Sequence, residues 1–148
     1  MRPHATKIVV GIIALVAIIV VIVFIVRKEP EVVPLEPTTS VPTETVIGTS
    51  VQGRDIIAVT YGDGATHLVF VGGIHGGYEW NSVLLAYEAM DYLKENPSVI
   101  PQNLSVTIIP SANPDGLFKV VGKEGRFFAV DVPVGDDSLG RFNANSVD

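Results

Sequence analysis

No cysteine occurs among the 148 residues, which excludes a disulfide framework, a thiolate zinc site, a cysteine nucleophile and a lipid attached through sulfur. Histidine is scarce as well: three are present, so any imidazole chemistry comes from His4, His67 or His75. Charged residues make up only 18% of the chain against 47% hydrophobic ones. Beyond Lys28 positive charge is in short supply, with six basic side chains facing all sixteen acidic ones, and so acidic a surface is a poor match for nucleic acid. The missing cysteines leave the redox compartment open.

What is present first is a run of nineteen residues without a charge, residues 8–26. At about 1.5 Å per residue a helix of that length spans roughly 28 Å, close to the ~30 Å hydrocarbon thickness of a bilayer. The expectation is one transmembrane helix over 8–26, preceded by a short tail, residues 1–7. A cleaved signal peptide is the competing reading, but it carries an apolar region of about 7–15 residues followed by small residues. Here Arg27-Lys28-Glu29-Pro30 follows instead, which favours an uncleaved anchor. Flanking charge does not orient it, since Arg2 and Lys7 are matched by Arg27 and Lys28. Residues 27–45 interleave Pro30, Pro34, Pro37 and Pro42 with Glu and Thr, a composition that favours extended chain and reads as a stalk. A single-pass membrane protein follows, touching the lipid bilayer through 8–26 and holding its remaining domain on the extracytoplasmic side.

Residues 46–148, about 100 in all, suffice for one small domain. The β-rich runs 55–61 and 67–72 flank the Gly/Asp-rich stretch 62–66, a pattern that suits an antiparallel hairpin. Leu68-Val69-Phe70-Val71 is apolar throughout, as in a strand covered on both faces. Residues 80–96 read as a helix with Val83, Leu84, Tyr87, Met90 and Leu93 near helical spacing and Asn96-Pro97 as its stop. Residues 104–109 form a further strand ended by Pro110. Strand, helix, strand is an α/β order, implying a mixed sheet with packed helices.

Two segments carry chemistry, Gly72-Gly73-Ile74-His75-Gly76-Gly77-Tyr78-Glu79 and Asn113-Pro114-Asp115-Gly116, and each follows a predicted strand. In open α/β sheets ligands collect outside the carboxyl ends of the strands. Imidazole and carboxylate are both competent zinc ligands, and flanking glycines let the backbone aim two side chains at one point. A loop histidine beside a helix-start glutamate is the plainer reading of the same pair.

In the order Ile47-Gly48-Thr49-Ser50-Val51-Gln52-Gly53-Arg54, His75…Glu79, Asn113-Pro114-Asp115-Gly116-Leu117 and Arg141-Phe142-Asn143-Ala144-Asn145-Ser146-Val147-Asp148, the chain resembles the zinc carboxypeptidase family, the carboxypeptidase A-like metallopeptidases. The resemblance runs from about residue 47 to the last residue and implies the N-terminal part of that fold. It implies that His75 and Glu79 are metal ligands holding one Zn2+ ion and that Arg141 is catalytic, polarising the scissile carbonyl. It also implies that Asp148 accepts the other ring N–H of His75. The spacing departs from the family's His-x-x-Glu by one residue, with Gly76, Gly77 and Tyr78 lying between the two ligands.

The family's Asn-Arg carboxylate grip, third zinc histidine, closing tyrosine and general-base glutamate have no counterpart up to Asp148, so the sequence reads as a chain cut short. His67 opens its strand at the end away from His75, and Glu88, Asp91 and Glu95 read as the solvated face of a helix. Three functions follow. The first is a membrane-anchored zinc metallocarboxypeptidase, a hydrolase acting on peptide or protein C-termini through a zinc-activated water. The second is a catalytically incomplete peptide-binding relative, and the third an amidase or deacylase on the same scaffold.

Overall fold

The computed structural model describes residues 13, 16–21 and 41–148. Residues 13 and 16–21, taken by themselves, are helical and exposed; the rest of the 8–26 run, the tail 1–7 and the stalk up to residue 40 lie outside the described residues. Among the described residues no helix is long and apolar enough to cross a membrane.

Residues 41–148 build a four-stranded mixed sheet from β1 (Thr43–Thr49), β2 (Asp55–Tyr61), β3 (Thr66–Val71) and β4 (Leu104–Ile109), in the order β1-β2-β4-β3. β1 pairs antiparallel with β2, β2 antiparallel with β4, and β3 parallel with β4. β1 begins inside the stretch that composition assigns to the stalk, because Thr43, Glu44 and Thr45 pair with Thr60, Val59 and Ala58.

The expected hairpin between the 55–61 and 67–72 runs does not form: β4 lies between β2 and β3. Its loop instead passes over the start of β4. A Cβ on Gly64 would stand 2.1 Å from the backbone of Asn103 and Leu104, and one on Gly62 2.7 Å from the Leu104 carbonyl, while Gly64 N–H donates to that carbonyl at 3.1 Å. Glycines that look like a hairpin turn in sequence are therefore there for close backbone approach. The second correction concerns β3. Leu68, Val69, Phe70 and Val71 are 42–59% exposed rather than covered on both faces: β3 is an edge of this sheet among the described residues, and the buried core lies over β2 and β4 instead.

The crossover from β3 to β4 contains helix α1 (Trp80–Glu95). It buries Val83, Ala86, Tyr87 and Met90, one stripe at helical spacing, against Val59, Tyr61, Val106 and Ile108 of the sheet. The buried Tyr61 hydroxyl donates to the Met90 carbonyl at 2.9 Å. Helix α2 (Pro114–Val121) adds Leu117 and Val121 to the same core. Asn113 caps it by accepting from Gly116 N–H at 2.9 Å, Pro114 fills its first turn, and Gly122 ends it in the left-handed conformation.

Asp115 anchors α2 to the β1–β2 turn. It is 1% exposed, accepts from Ser50 Oγ at 2.8 Å and Gln52 N–H at 3.2 Å, and pairs with Arg54 Nη1 at 2.7 Å. Arg54 in turn lies over the Phe118 ring. Burial pushes the Asp115 carboxyl up, but the hydrogen bonds from Ser50, Arg54 and Gln52 outweigh it and hold its pKa below the ordinary carboxylate value. Asp115→Ala removes the buried partner of Arg54, which keeps Gln52 and the exposed Glu124, and strips Ser50 and Gln52 N–H of their acceptor; it is expected to cost about 3 kcal/mol in urea unfolding. Because the native pKa is the lower one, the stabilisation in wild type is complete above the unfolded value of about 3.9. It is lost as pH falls towards the native value, so the gap between wild type and variant should narrow in acid.

Candidate functional site

The ladder between β3 and β4 runs past both strands: Gly72 N–H donates to Ile109, Ala112 N–H to Gly72 and Asn113 N–H to Gly73. This extension ties the loop after β3 to the cap of α2. Ser82, in the first turn of α1, fixes the other side by accepting from Gly73 N–H at 2.9 Å and donating to the Glu79 carbonyl at 2.8 Å. The chain between is a 3-10 turn, Gly76–Glu79, entered from His75.

Within this turn His75 and Glu79 meet. His75 Nδ1 lies 2.7 Å from Glu79 Oε1, and His75 N–H donates to Oε2 at 3.2 Å. The hydrogen bond from the ring, with a smaller contribution from Arg141, holds the Glu79 carboxyl below its ordinary pKa. The opposite ring nitrogen, Nε2, stands 3.4 Å from Asp148 Oδ1. Asp148 Oδ2 accepts from Arg141 Nε at 3.0 Å and from Nη2 at 2.8 Å. All four residues singled out in the sequence, His75, Glu79, Arg141 and Asp148, thus form one connected group, each about one-third to one-half exposed.

The donor set suits a metal ion in part. Imidazole nitrogen and carboxylate oxygen bind zinc at about 2.0–2.2 Å, so two donors already in contact at 2.7 Å need to part by well under an ångström to share one ion. Nε2 faces Asp148 at 3.4 Å, and Nδ1 is the ring nitrogen turned to Glu79. Among the described residues no cluster of three His, Cys, Asp or Glu side chains is disposed to hold a metal. His67 lies elsewhere, its Nε2 2.7 Å from Thr107 Oγ1 on the sheet.

Two features of the site escape a reading by residue type. The first is a junction of glycines. A Cβ on Gly76 would meet the Gly140 carbonyl at 2.6 Å and Gly116 at 2.7 Å; one on Gly116 would meet the Gly140 carbonyl at 2.4 Å; one on Gly140 would meet the Gly116 carbonyl at 2.8 Å and Gly77 at 2.9 Å. The His75–Glu79 loop, the start of α2 and the 3-10 turn Ser138–Gly140 before Arg141 therefore touch backbone to backbone. The second is Asn143, whose Oδ1 accepts from Asn145 and Val147 N–H at 2.9 and 3.0 Å. It folds residues 143–147 into a tight loop that returns Asp148 to Arg141. A short amide side chain followed by Asn and Ser is the one sequence signal for such a loop.

The profile of the zinc carboxypeptidase family matches residues 38–127, more than half of the chain, and the chain belongs to that family. The matched span contains His75 and Glu79 and ends before Arg141 and Asp148. Among solved structures, a Shewanella denitrificans protein assigned as a carboxypeptidase A is similar with a TM-score of 0.46 and 20% identity, over 53% of this chain and 22% of its own. An aspartoacylase family protein from Mesorhizobium loti is similar with a TM-score of 0.41 and 20% identity, over 76% of this chain and 42% of its own. This chain thus spans less than half the length of either.

The glycine junction makes a prediction that a turn-forming role would not. Gly116→Ala drives a methyl into the Gly140 carbonyl and is expected to cost about 2–3 kcal/mol and to weaken zinc binding measured by calorimetry. Gly122→Ala meets nothing within 4 Å; it carries only the cost of its left-handed backbone, about 1–2 kcal/mol, and leaves zinc binding unchanged.

Proposed function

We propose that this member of the zinc carboxypeptidase family is a metallocarboxypeptidase that hydrolyses the C-terminal amide bond of peptides. One observation carries the reading: His75 offers Nδ1 to the point that Glu79 also faces, while its Nε2 is turned to Asp148. Such a carboxylate behind a ligand histidine fixes the ring and raises its basicity. A zinc ion held by His75 and Glu79 supplies Lewis acidity and a water of lowered pKa. Arg141 spends Nε and Nη2 on Asp148 and directs its remaining Nη1 donors at the carbonyl oxygen of a substrate, where a fixed guanidinium charge stabilises the developing oxyanion.

A catalytic zinc takes three protein ligands and an open position. We propose that the third ligand and the general base come from chain beyond Asp148, a reading supported by the count of two donors in the described site. The uncharged run 8–26 supports a further proposal: it anchors the protein in the bilayer, with the stalk holding the hydrolase off the membrane, on the side where extracellular peptides are met.

In the protein carrying its complete ligand set, His75→Ala is expected to lower zinc affinity by more than about 100-fold, beyond the 10–100-fold typical of an outer partner, and to abolish peptide hydrolysis. Zinc content by mass spectrometry and release of C-terminal amino acids are the readouts; normal values in the variant overturn the assignment. Cleavage of N-acyl amino acids but not peptides would make the enzyme a deacylase, and zinc held without hydrolysis of either would make it a binding protein. For the anchor, the full chain should stay in membranes through carbonate extraction, while a chain starting at residue 29 is released. Release of both contradicts anchoring.

A further inference from the structure

The loop between the two proposed ligands carries one aromatic residue. Tyr78 sits between Gly77 and Glu79, and its backbone N–H donates to the His75 carbonyl at 3.1 Å as part of the 3-10 turn. Its side chain is 44% exposed, so core packing does not explain an aromatic residue there. The Arg141 guanidinium carbon lies 5.4 Å from the centre of its ring, within the distance at which a cation is attracted to an aromatic face. Arg141 is therefore held from two directions. Asp148 takes Nε and Nη2 in the plane of the guanidinium, and Tyr78 faces it with a ring.

We propose that Tyr78 is a positioning residue for Arg141: its ring and the Asp148 carboxylate together fix the guanidinium so that Nη1 is presented in one orientation. A guanidinium held only by Asp148 could still swing about the axis of that ion pair. An aromatic face restricts the swing and adds no hydrogen bond that would compete with a substrate oxygen. The inference rests on the proposed role of Arg141 for its consequence in catalysis, but the contact between Tyr78 and Arg141 stands apart from it.

The test uses the zinc-loaded protein carrying its complete ligand set, with Tyr78→Phe, which keeps the ring, and Tyr78→Leu, which removes it. Tyr78 is exposed, and fluorescence of Trp80, the single tryptophan, reports on folding beside the loop. The Arg141 Nε–H resonance should keep its ring-current shift in Tyr78→Phe. In Tyr78→Leu it should lose the shift and exchange faster with solvent. Peptide turnover should fall about two- to five-fold in Tyr78→Leu, the range for an exposed cation–π contact, with KM nearly unchanged and with recovery in Tyr78→Phe. An Arg141 resonance that is the same in all three proteins overturns the proposal, as does equal loss of turnover in both variants, which would assign the effect to the hydroxyl. If the zinc-loaded wild type hydrolyses no peptide, the proposed function fails while the Arg141 resonance still decides whether Tyr78 holds the guanidinium.

Discussion

Backbone contact at the glycine junction is the constraint on which the site depends. Three chain segments far apart in sequence, around Gly76, Gly116 and Gly140, approach so closely that a single methyl on any of them would overlap a neighbour's main chain. Side chains cannot mediate an approach of that kind, because any of them would hold the segments apart. With the backbones in contact, the loop bearing His75 and Glu79 and the turn leading to Arg141 are brought within reach of each other. Asp148 can then touch His75 and Arg141 with its two oxygens.

The junction is stiff because the segments are also secured away from it. Asp115 clasps the β1–β2 turn to the start of α2, Ser82 pins the His75–Glu79 loop to α1, and the ladder beyond β3 and β4 joins that loop to Asn113. Each residue of Asn113-Pro114-Asp115-Gly116 has a separate duty: cap, first-turn filler, buried anchor and close-contact glycine. Only the surface of this assembly carries the candidate chemistry. The scaffold is nearly dry, whereas His75, Glu79, Arg141 and Asp148 remain partly open to solvent, as residues that meet a ligand must be.

Where the sequence was legible, one dominant signal matched one local cause. Helix α1 followed from its apolar spacing and Asn96-Pro97 stop, and β4 from its apolar run before Pro110. The grouping of His75, Glu79, Arg141 and Asp148 was legible through ordered motifs. The hairpin failed because glycines at 62 and 64 signal either a turn or a close crossing, and only the position of β4 separates the two. The covered strand failed for a related reason: an apolar run such as Leu68–Val71 records a preference for burial without stating what lies alongside it. The roles of Gly140 and Asp115 depend on partners that are distant in sequence, so local pattern held little trace of them.

The central claim is that His75 offers Nδ1 to a metal shared with Glu79 while Asp148 keeps Nε2. Long-range nitrogen–proton correlation of the His75 ring during zinc titration tests it most directly, since the two nitrogens report metal and proton separately. The account predicts that Nδ1 moves to the metal-bound range with Nε2 still protonated, and that His67 is unaffected. Zinc on Nε2, or a His75 ring that does not respond to zinc, would contradict it.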